Sequence, residues 1–462
     1  MRDRSRYFAR TAPPVAVVRG TPATNQRSEA RGPDPAVIRR IMRPGGYSTR
    51  RRRRRALQTI HQSGSVVVRV TMLVRNPFTN DTRVEKEARS LALAGHQVIV
   101  VAEGRPSLPR TNDGDGIAVI RVERPLARLP ALRFIAYRQR LIRALEVTRP
   151  DVLHAHDADA LDPVGAAARR LGAPFIYDSH ELWLQQGPRG RSAPYWRAFL
   201  AYYRLIERRY VPQAVAAISV SPPIVRALAE LYQRPFHLVP NYPDATGQVH
   251  RREIRSLPGG EGIPDGAPII LRLGGLTAGR GVEELVEAIV AVDEGHLVLL
   301  GAGHIGAELG RLAAHRGVAD RVHVLAPVPP DQVVDYAASA AIGLSPAIPT
   351  SLNDAYSLPN KLFQYMAAGI PVLASDFSHV REIVEGSDAG RTVDMTKPPL
   401  IAAALREMLA DPEGRRRMGS NARNAVLGRY NWATAERELL AVYDLVASGR
   451  SEARALPGSR RG

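Results

Sequence analysis

Residues 357–372 read Ser357-Leu358-Pro359-Asn360-Lys361-Leu362-Phe363-Gln364-Tyr365-Met366-Ala367-Ala368-Gly369-Ile370-Pro371-Val372. Pro359 stands where a first helical residue belongs, and Gly369 followed by Pro371 marks the stop. The apolar run Pro371–Ala374 that follows is a buried strand in outline. The predicted helix opens with backbone N–H groups, those of Asn360 and Lys361 among them, that have no partner within the helix. With the helix dipole and the Lys361 ammonium they make a competent phosphate site. Gln364 lies one turn further on the same face, placed to bond a ribose or sugar hydroxyl. Leu362, Phe363 and Met366 pack. A helix that only packs between strands is the competing reading, and it leaves Pro-Asn-Lys at the helix mouth without a purpose.

Outward from this junction the same alternation recurs. Apolar strand candidates are Val66–Val74, Gln97–Ala102, Ala118–Val122, Asp151–Ala155, Pro174–Tyr177, Val215–Ser219 and Phe236–Val239, with helical stretches Arg83–Ala94, Leu129–Leu145 and Pro222–Tyr232 between them. After the Gly- and Pro-rich segment Asn241–Gly266, a second series follows: Pro268–Leu273, His296–Leu300, Arg321–Leu325, Ala341–Leu344 and Pro371–Ala374. Its helices include Val282–Val292, Ile305–His315 and Pro359–Ala368, and the chain closes with Pro398–Leu409, Pro412–Leu427 and Trp432–Val446. Alternation of this kind predicts an α/β protein of two doubly wound, Rossmann-like domains with parallel sheets. The expected divisions are a basic tail at 1–62, a first domain at 63–243, a linker at 244–266, a second domain at 267–428, a last helix at 429–448 and a basic tail at 449–462. Ligands of such sheets bind beyond the carboxyl ends of the strands, so function is expected in the loops that follow strands, in a cleft between the domains.

Composition narrows the chemistry. The 462 residues suggest two or three domains. The chain has no cysteine, which removes disulfide scaffolds, thiolate metal sites and cysteine nucleophiles. No apolar run reaches the length of a membrane span, and no signal peptide is legible. The net charge of +19 is unevenly spread. Sixteen arginines against three acids give residues 1–62 a charge of +13, four arginines against one glutamate give residues 449–462 a charge of +3, and only +3 remains for the 386 residues between. The N-terminal arm, with its run Arg50 to Arg55, reads as a disordered, solvated extension or a start placed too early, in preference to a nucleic-acid arm or a lipid tether. No specific nucleic acid is expected as a partner.

Several loops carry candidate ligand groups. Leu273-Gly274-Gly275-Leu276-Thr277-Ala278-Gly279-Arg280-Gly281 follows a strand and opens a helix. Its glycines let the backbone approach a ligand, and Arg280 offers a forked donor for a pyrophosphate. Gly301-Ala302-Gly303-His304-Ile305-Gly306 fits the dinucleotide fingerprint, but the next strand ends in Ala326-Pro327 where an acid for the ribose would stand. A tight turn near a phosphate fits it better than a nicotinamide site. In the first domain Leu153-His154-Ala155-His156-Asp157 and Tyr177-Asp178-Ser179-His180-Glu181-Leu182 end strands, and their groups suit the hydroxyls of a polyol better than a metal. No serine sits in a nucleophile elbow. Arg128-Leu129, Leu132-Arg133-Phe134-Ile135, Tyr137 to Arg143 and Tyr195-Trp196-Arg197-Ala198-Phe199 with Tyr202-Tyr203-Arg204 mix basic and apolar residues at helical spacing. Two readings stand: a face for an anionic bilayer, or ordinary amphipathic helices with the apolar stripe on the core.

Taken in order, His156-Asp157, Tyr177 to Leu182, Ser219-Val220-Ser221 and Val239-Pro240-Asn241 resemble the acceptor half of a GT-B glycosyltransferase. Gly274-Gly275-Leu276 through Arg280-Gly281 and Ser357 to Phe363 resemble its donor half. The specific resemblance is to the retaining glycosyltransferase family four, in the branch carrying S-L-P-N-K-L-F, over about residues 66–447. It implies the GT-B fold, with the last helix, at Trp432, crossing back onto the first domain. It also implies sugar transfer from a nucleotide diphosphate sugar with retention, by front-face substitution, with no cofactor and no required metal. Arg280, Lys361 and the helix mouth at Asn360 would take the diphosphate charge. His180 would hold a sugar hydroxyl near the reacting carbon, and His156, Asp157 and Glu181 would border the acceptor. Gly274, Gly275, Tyr356, Leu358, Pro359 and Gln364 complete the implied donor site. The family's paired glutamates, eight apart, are here Tyr356 and Gln364, and Gly275 stands where many members place an arginine. Glutamine keeps an acceptor oxygen for a ribose hydroxyl and loses the charge.

The expectation is therefore a cytoplasmic retaining glycosyltransferase of envelope glycan synthesis. It would act on a lipid-linked or polysaccharide acceptor, peripherally at the inner membrane surface. Two rivals are a nucleotide-sugar epimerase of the same fold, which would need acid/base carboxylates in the cleft, and a degenerate, non-catalytic binding protein.

Overall fold

A computed structural model describes residues 67–449, apart from 127–128, 188–191 and 245–246. The basic tails, but for Gly449, and Arg128 lie outside the described residues. The first lobe is built on β1 (Arg69–Leu73), β2 (Gln97–Gly104), β3 (Thr111–Gly114), β4 (Ile117–Glu123), β5 (Val152–His156), β6 (Phe175–Ser179), β7 (Ala216–Ser219) and β8 (His237–Leu238). The second carries β9 (Ile269–Leu273), β10 (His296–Leu300), β11 (Val322–Leu325), β12 (Ile342–Ser345), β13 (Val372–Ser375) and β14 (Gly390–Val393).

The sheet orders are β3-β4-β2-β1-β5-β6-β7-β8 and β11-β10-β9-β12-β13-β14. Every pair is parallel except β3 with β4. In each sheet the chain runs outward from one strand, β1 or β9, and then returns to build the other half through β5 or β12. Those two reversals open a crevice at the carboxyl end of the sheet, and they fix where a ligand can enter. The strands beside the reversals are buried on both faces, as parallel strands flanked by helices must be: β5 and β9 are buried at every residue.

Two strands were absent from the sequence reading. β3 is the polar run Thr111-Asn112-Asp113-Gly114, held to β4 by a hairpin whose turn residues Asp115 and Gly116 both have positive φ, 53° and 81°. β14 is a short, half-exposed edge strand. Pro359 precedes the helix Asn360–Ala368 by one residue, and Gly369 closes it in the left-handed conformation at φ 73°.

The expected linker folds onto the second lobe. Ile254 and Ile263 are buried in its core, and the N–H groups of His250 and Arg252 bond Asp335. The last helix, Trp432–Ala447, is capped by Asn431 and lies on the first lobe. Its Trp432 indole N–H donates to Ser90 Oγ at 2.9 Å, and Tyr443 OH lies 2.8 Å from His154 Nδ1. One apolar cluster consequently runs from Val70 and Met72 through Tyr242, Tyr430 and Trp432 to Leu271 and Val372, joining the lobes.

Candidate active site

The crevice has a volume of about 1780 Å³ and takes in residues that follow β1, β6, β7, β9, β10, β11 and β12. From the second lobe it takes Gly274, Gly275, Arg280, Leu358, Pro359, Asn360, Lys361 and Gln364, and from the first His180 and Glu181. Tyr356, His156 and Asp157 do not line it.

On the second lobe, Gly274, Gly279 and Gly281 have φ of 100°, 72° and 74°, values that side chains other than glycine's rarely adopt. The fingerprint-like glycines serve this turn. A Cβ on Gly301 would fall 2.1 Å from the Gly274 carbonyl oxygen, and one on Gly303 would fall 1.8 Å from that of Leu276. They are small because a second loop lies on the first. The helix Asn360–Ala368 points its first residues into the crevice, where its leading N–H groups lack intrahelical acceptors. Lys361 Nζ would lie 3.7 Å from a Cβ on Gly274, so the ammonium stands directly over the turn. Burial, followed by the neighbouring Arg272 and Arg280, pushes its pKa down to about 7. Arg272 escaped the sequence reading: an arginine inside an apolar strand run carries no motif.

The first lobe presents an imidazole held by two acids. His180 Nδ1 lies 3.2 Å from Asp157 Oδ2 and Nε2 3.0 Å from Asp178 Oδ2. Burial works against the charged ring, but the fields of Asp157 and Asp178 outweigh it and hold the pKa well above its ordinary value. The two acids therefore favour the charged form of the ring.

Asp157 does not line the crevice; its carboxylate anchors the groups that do. Its Oδ1 accepts from the His180 N–H at 2.8 Å and from the Trp183 indole at 3.1 Å. These bonds offset a backbone at φ 67° and ψ 167°, a conformation costing about 1–3 kcal/mol. His156 sits behind His180, its Nδ1 3.4 Å from His180 Nε2, and is stacked on His154 at 4.2 Å. Asp178 is fully buried and takes Arg83 through both oxygens at 2.9–3.2 Å. Arg83 also pairs with Glu87 at 3.0 Å and donates to the Val239 carbonyl. Its position four residues before Glu87 on one helix was the available signal. Ligand-type atoms of Glu87, His154, His156 and Asp178 lie within 4.8 Å of one another, and the Arg83 guanidinium already faces both carboxylates.

Tyr356 faces the other lobe. Its ring packs on the first-lobe core and its carbonyl accepts from Ser221 Oγ at 2.7 Å. Asn353, on the same short helix, accepts from the Leu182 N–H at 2.7 Å. The segment Leu352–Tyr356 is thus a bridge between lobes. Sequence reading also passed over the loop Asn76–Asp81, which lines the crevice and is pinned by Asn76–Asp81 and Asp81–Val84 hydrogen bonds.

Residues 81–245 match the family described as Glycosyltransferase Family 4, and residues 254–425 match Glycosyl transferases group 1. The chain belongs to the GT-B glycosyltransferases of the family-four type. This glycosyltransferase is 26% identical over 369 residues to alpha-D-kanosaminyltransferase of Streptomyces kanamyceticus, covering 76% of this chain and 90% of that one. It is 26% identical over 381 residues to a GDP-mannose-dependent alpha-mannosyltransferase of Mycolicibacterium smegmatis, covering 78% and 92%. Among solved structures it superposes on HepE of Anabaena, in complex with UDP and glucose, with a TM-score of 0.64 at 15% identity, covering 81% of this chain and 99% of that one. The glycosyltransferase fold therefore extends over both lobes, with the two groups of polar side chains facing one crevice from opposite sheets.

Proposed function

We propose that this glycosyltransferase moves a sugar from a nucleotide diphosphate sugar to a hydroxyl acceptor with retention of anomeric configuration. The observation that carries the reading is the cation group at the helix mouth: Lys361 and Arg280 face the crevice beside the Gly274 turn, and among the described residues neither has a carboxylate in ion-pair reach. Such a site is unfavourable empty and favourable with a diphosphate in it. Complexes with UDP and with UDP-glucose in a protein of the same fold agree with a nucleotide donor.

The chain's own groups suit a departure-driven transfer. Arg280, Lys361 and the N–H groups at Asn360 receive charge as the diphosphate leaves. Gln364 is near enough in sequence and in the crevice to take a hydroxyl of the donor. His180, its charged form favoured by Asp157 and Asp178, lines the crevice, and Glu181 lies beside it on the acceptor side. The crevice carboxylates are committed elsewhere: Asp81 caps a helix, Asp354 accepts from Thr350 and Ser351, and Glu181 accepts from Gln186. That commitment disfavours an epimerase, which needs free acid and base groups.

A lipid-linked acceptor at the inner membrane surface is the companion proposal, in a cytoplasmic enzyme of envelope glycan synthesis. Leu129, Leu132, Phe134 and Ile135 are all exposed at the start of the helix Pro130–Val147, and Tyr195 and Leu205 are exposed on the helix Ala193–Tyr210. Phe134 meets Tyr202 edge-on at 5.7 Å, which joins the two helices into one face. Among the described residues no helix is long and apolar enough to cross a membrane. A screen of the full chain against nucleoside diphosphates and their sugars, followed by NMR assignment of the anomer formed, tests the donor and the stereochemistry. Binding of none of them would overturn the reading. Sedimentation with anionic vesicles tests the face, and Phe134→Asp with Ile135→Asp should release the protein from them.

A further inference from the structure

The loop 274–281 brings one cation to the crevice, Arg280, since Gly274, Gly275 and Gly279 offer no side chain. Lys361 brings the second. A third lies underneath. Arg272, in β9, is 1% exposed, and its Nη1 donates to the carbonyl of Gly274. Its Nε is buried with no hydrogen-bond partner. An ideal Cβ on Gly274 would lie 3.7 Å from Lys361 Nζ and 4.0 Å from Arg272 Nη1, so the two cations flank one turn. Tyr365 seals the floor beneath them, its hydroxyl accepting from the Leu273 N–H and donating to the Leu344 carbonyl. Among the described residues no carboxylate is within ion-pair reach of Arg272, and Glu283 is the acid whose field extends to it. A buried guanidinium normally has its counter-ion built in. Among the described residues Arg272 has none.

We propose that Arg272 is the third cation of the diphosphate site, a buried positioning residue that holds the Gly274 turn and adds positive charge from below it. The proposal rests on the nucleotide-diphosphate reading given above. Arg272 does not line the crevice, so it acts through Gly274 and through Lys361.

A consequence follows for protons. Lys361 is disfavoured as an ammonium by burial first, and then by Arg272 from β9 and Arg280 from the loop, with no acid among the described residues opposing them. An arriving diphosphate reverses the balance and favours the ammonium. Above pH 7, binding therefore draws a proton from solvent, on the order of 0.9 proton at pH 8 for a lysine returned from about 7 to its ordinary range.

The test is calorimetric titration of the full chain with UDP and GDP between pH 7.5 and 9, where their phosphates are already ionised, in two buffers of different protonation enthalpy. Inorganic pyrophosphate serves as the base-free probe. The wild type should take up close to one proton at pH 8. Arg272→Met should bind about tenfold more weakly or worse and take up measurably less, burial and Arg280 keeping part of the uptake, while Arg272→Lys should stay within about threefold of wild type. A merely structural role would lower the melting temperature of Arg272→Met and leave proton uptake unchanged. Wild-type affinity and uptake in Arg272→Met would overturn the proposal, as would zero uptake by the wild type, a readout that survives if the Met variant fails to fold. Wild-type protein that binds neither diphosphates nor pyrophosphate would defeat the nucleotide reading itself, which is a different result from binding indifferent to residue 272.

Discussion

His180 Nε2 lies 3.0 Å from Asp178 Oδ2, and that same carboxylate oxygen receives Arg83 at 2.9 Å. The ring is thereby tied to the start of the helix Thr82–Leu93, while Asp157 grips its other nitrogen. Its charge depends on both acids.

Asp157→Asn should therefore lower the His180 pKa toward its ordinary value. A histidine whose folded pKa is raised stabilises the protein below its unfolded pKa and loses that contribution as pH rises through the folded value. The variant should lose stability at pH 6–7, and the alkaline limb of kcat/KM should move to lower pH, with turnover at pH 7.5 reduced on the order of 10–100-fold. Circular dichroism melts and a pH–rate profile check both. An unmoved alkaline limb would separate His180 protonation from the chemistry.

Lys361→Met should abolish transfer, by roughly 10²–10³ in kcat, as expected for loss of one preorganised donor to a leaving group. The same variant should be more stable than wild type when the crevice is empty. A lysine with a depressed folded pKa destabilises the fold at pH below its unfolded value, and the penalty grows as pH falls from about 10 to about 7, then levels. The gain in melting temperature should be larger at pH 7 than at pH 9. An activity loss accompanied by destabilisation would mean the lysine is structural.

Gly303→Ala should be severe, because its Cβ would meet the Leu276 carbonyl at 1.8 Å, and Gly301→Ala nearly so at 2.1 Å. A loss of about 2–3 kcal/mol or displacement of the donor loop is expected. Gly310→Ala is the control: nothing lies within 4 Å of its Cβ, and it sits within the helix Gly306–His315, so a gain of about 0.5–1 kcal/mol is expected. Denaturant melts of the three variants, with donor KM, distinguish loop packing from a dinucleotide role.

Gln364→Glu should lower the donor KM about three- to tenfold, since a charged acceptor binds a hydroxyl more strongly than a neutral one. Silence in that variant, with wild-type binding intact, would favour the non-catalytic rival.

Much of this was readable in advance because parallel strands flanked by helices leave a plain apolar run, and 12 such runs appear as strands. β3 and β14 stayed hidden for physical reasons. Thr111–Gly114 is composed of turn-type residues that pair only because Asp115 and Gly116 fold them back, and Gly390–Val393 is half exposed. The donor turn, the helix mouth and His180 were visible as motifs after strands. The arrangement behind them was not: Asp157 and His156 end a strand, and only packing shows that they stand behind His180 and off the crevice wall. Tyr356 was placed in the crevice by the family resemblance alone, whereas a break between two helices turns it toward Ser221. Arg272 had no local signature at all, since an arginine amid Ile-Ile-Leu is indistinguishable from a strand residue until its surroundings are known.

The helix Trp432–Ala447 closes a surface whose other residues were made far earlier in synthesis. Ser90 and His154 wait for Trp432 and Tyr443, nearly three hundred residues or more downstream. At about 5–20 residues per second that is a delay of tens of seconds on the ribosome. Throughout it the nascent first lobe exposes the apolar patch this helix will cover, so the emerging chain is at that stage a natural client for a holdase, and chains truncated before residue 432 should aggregate.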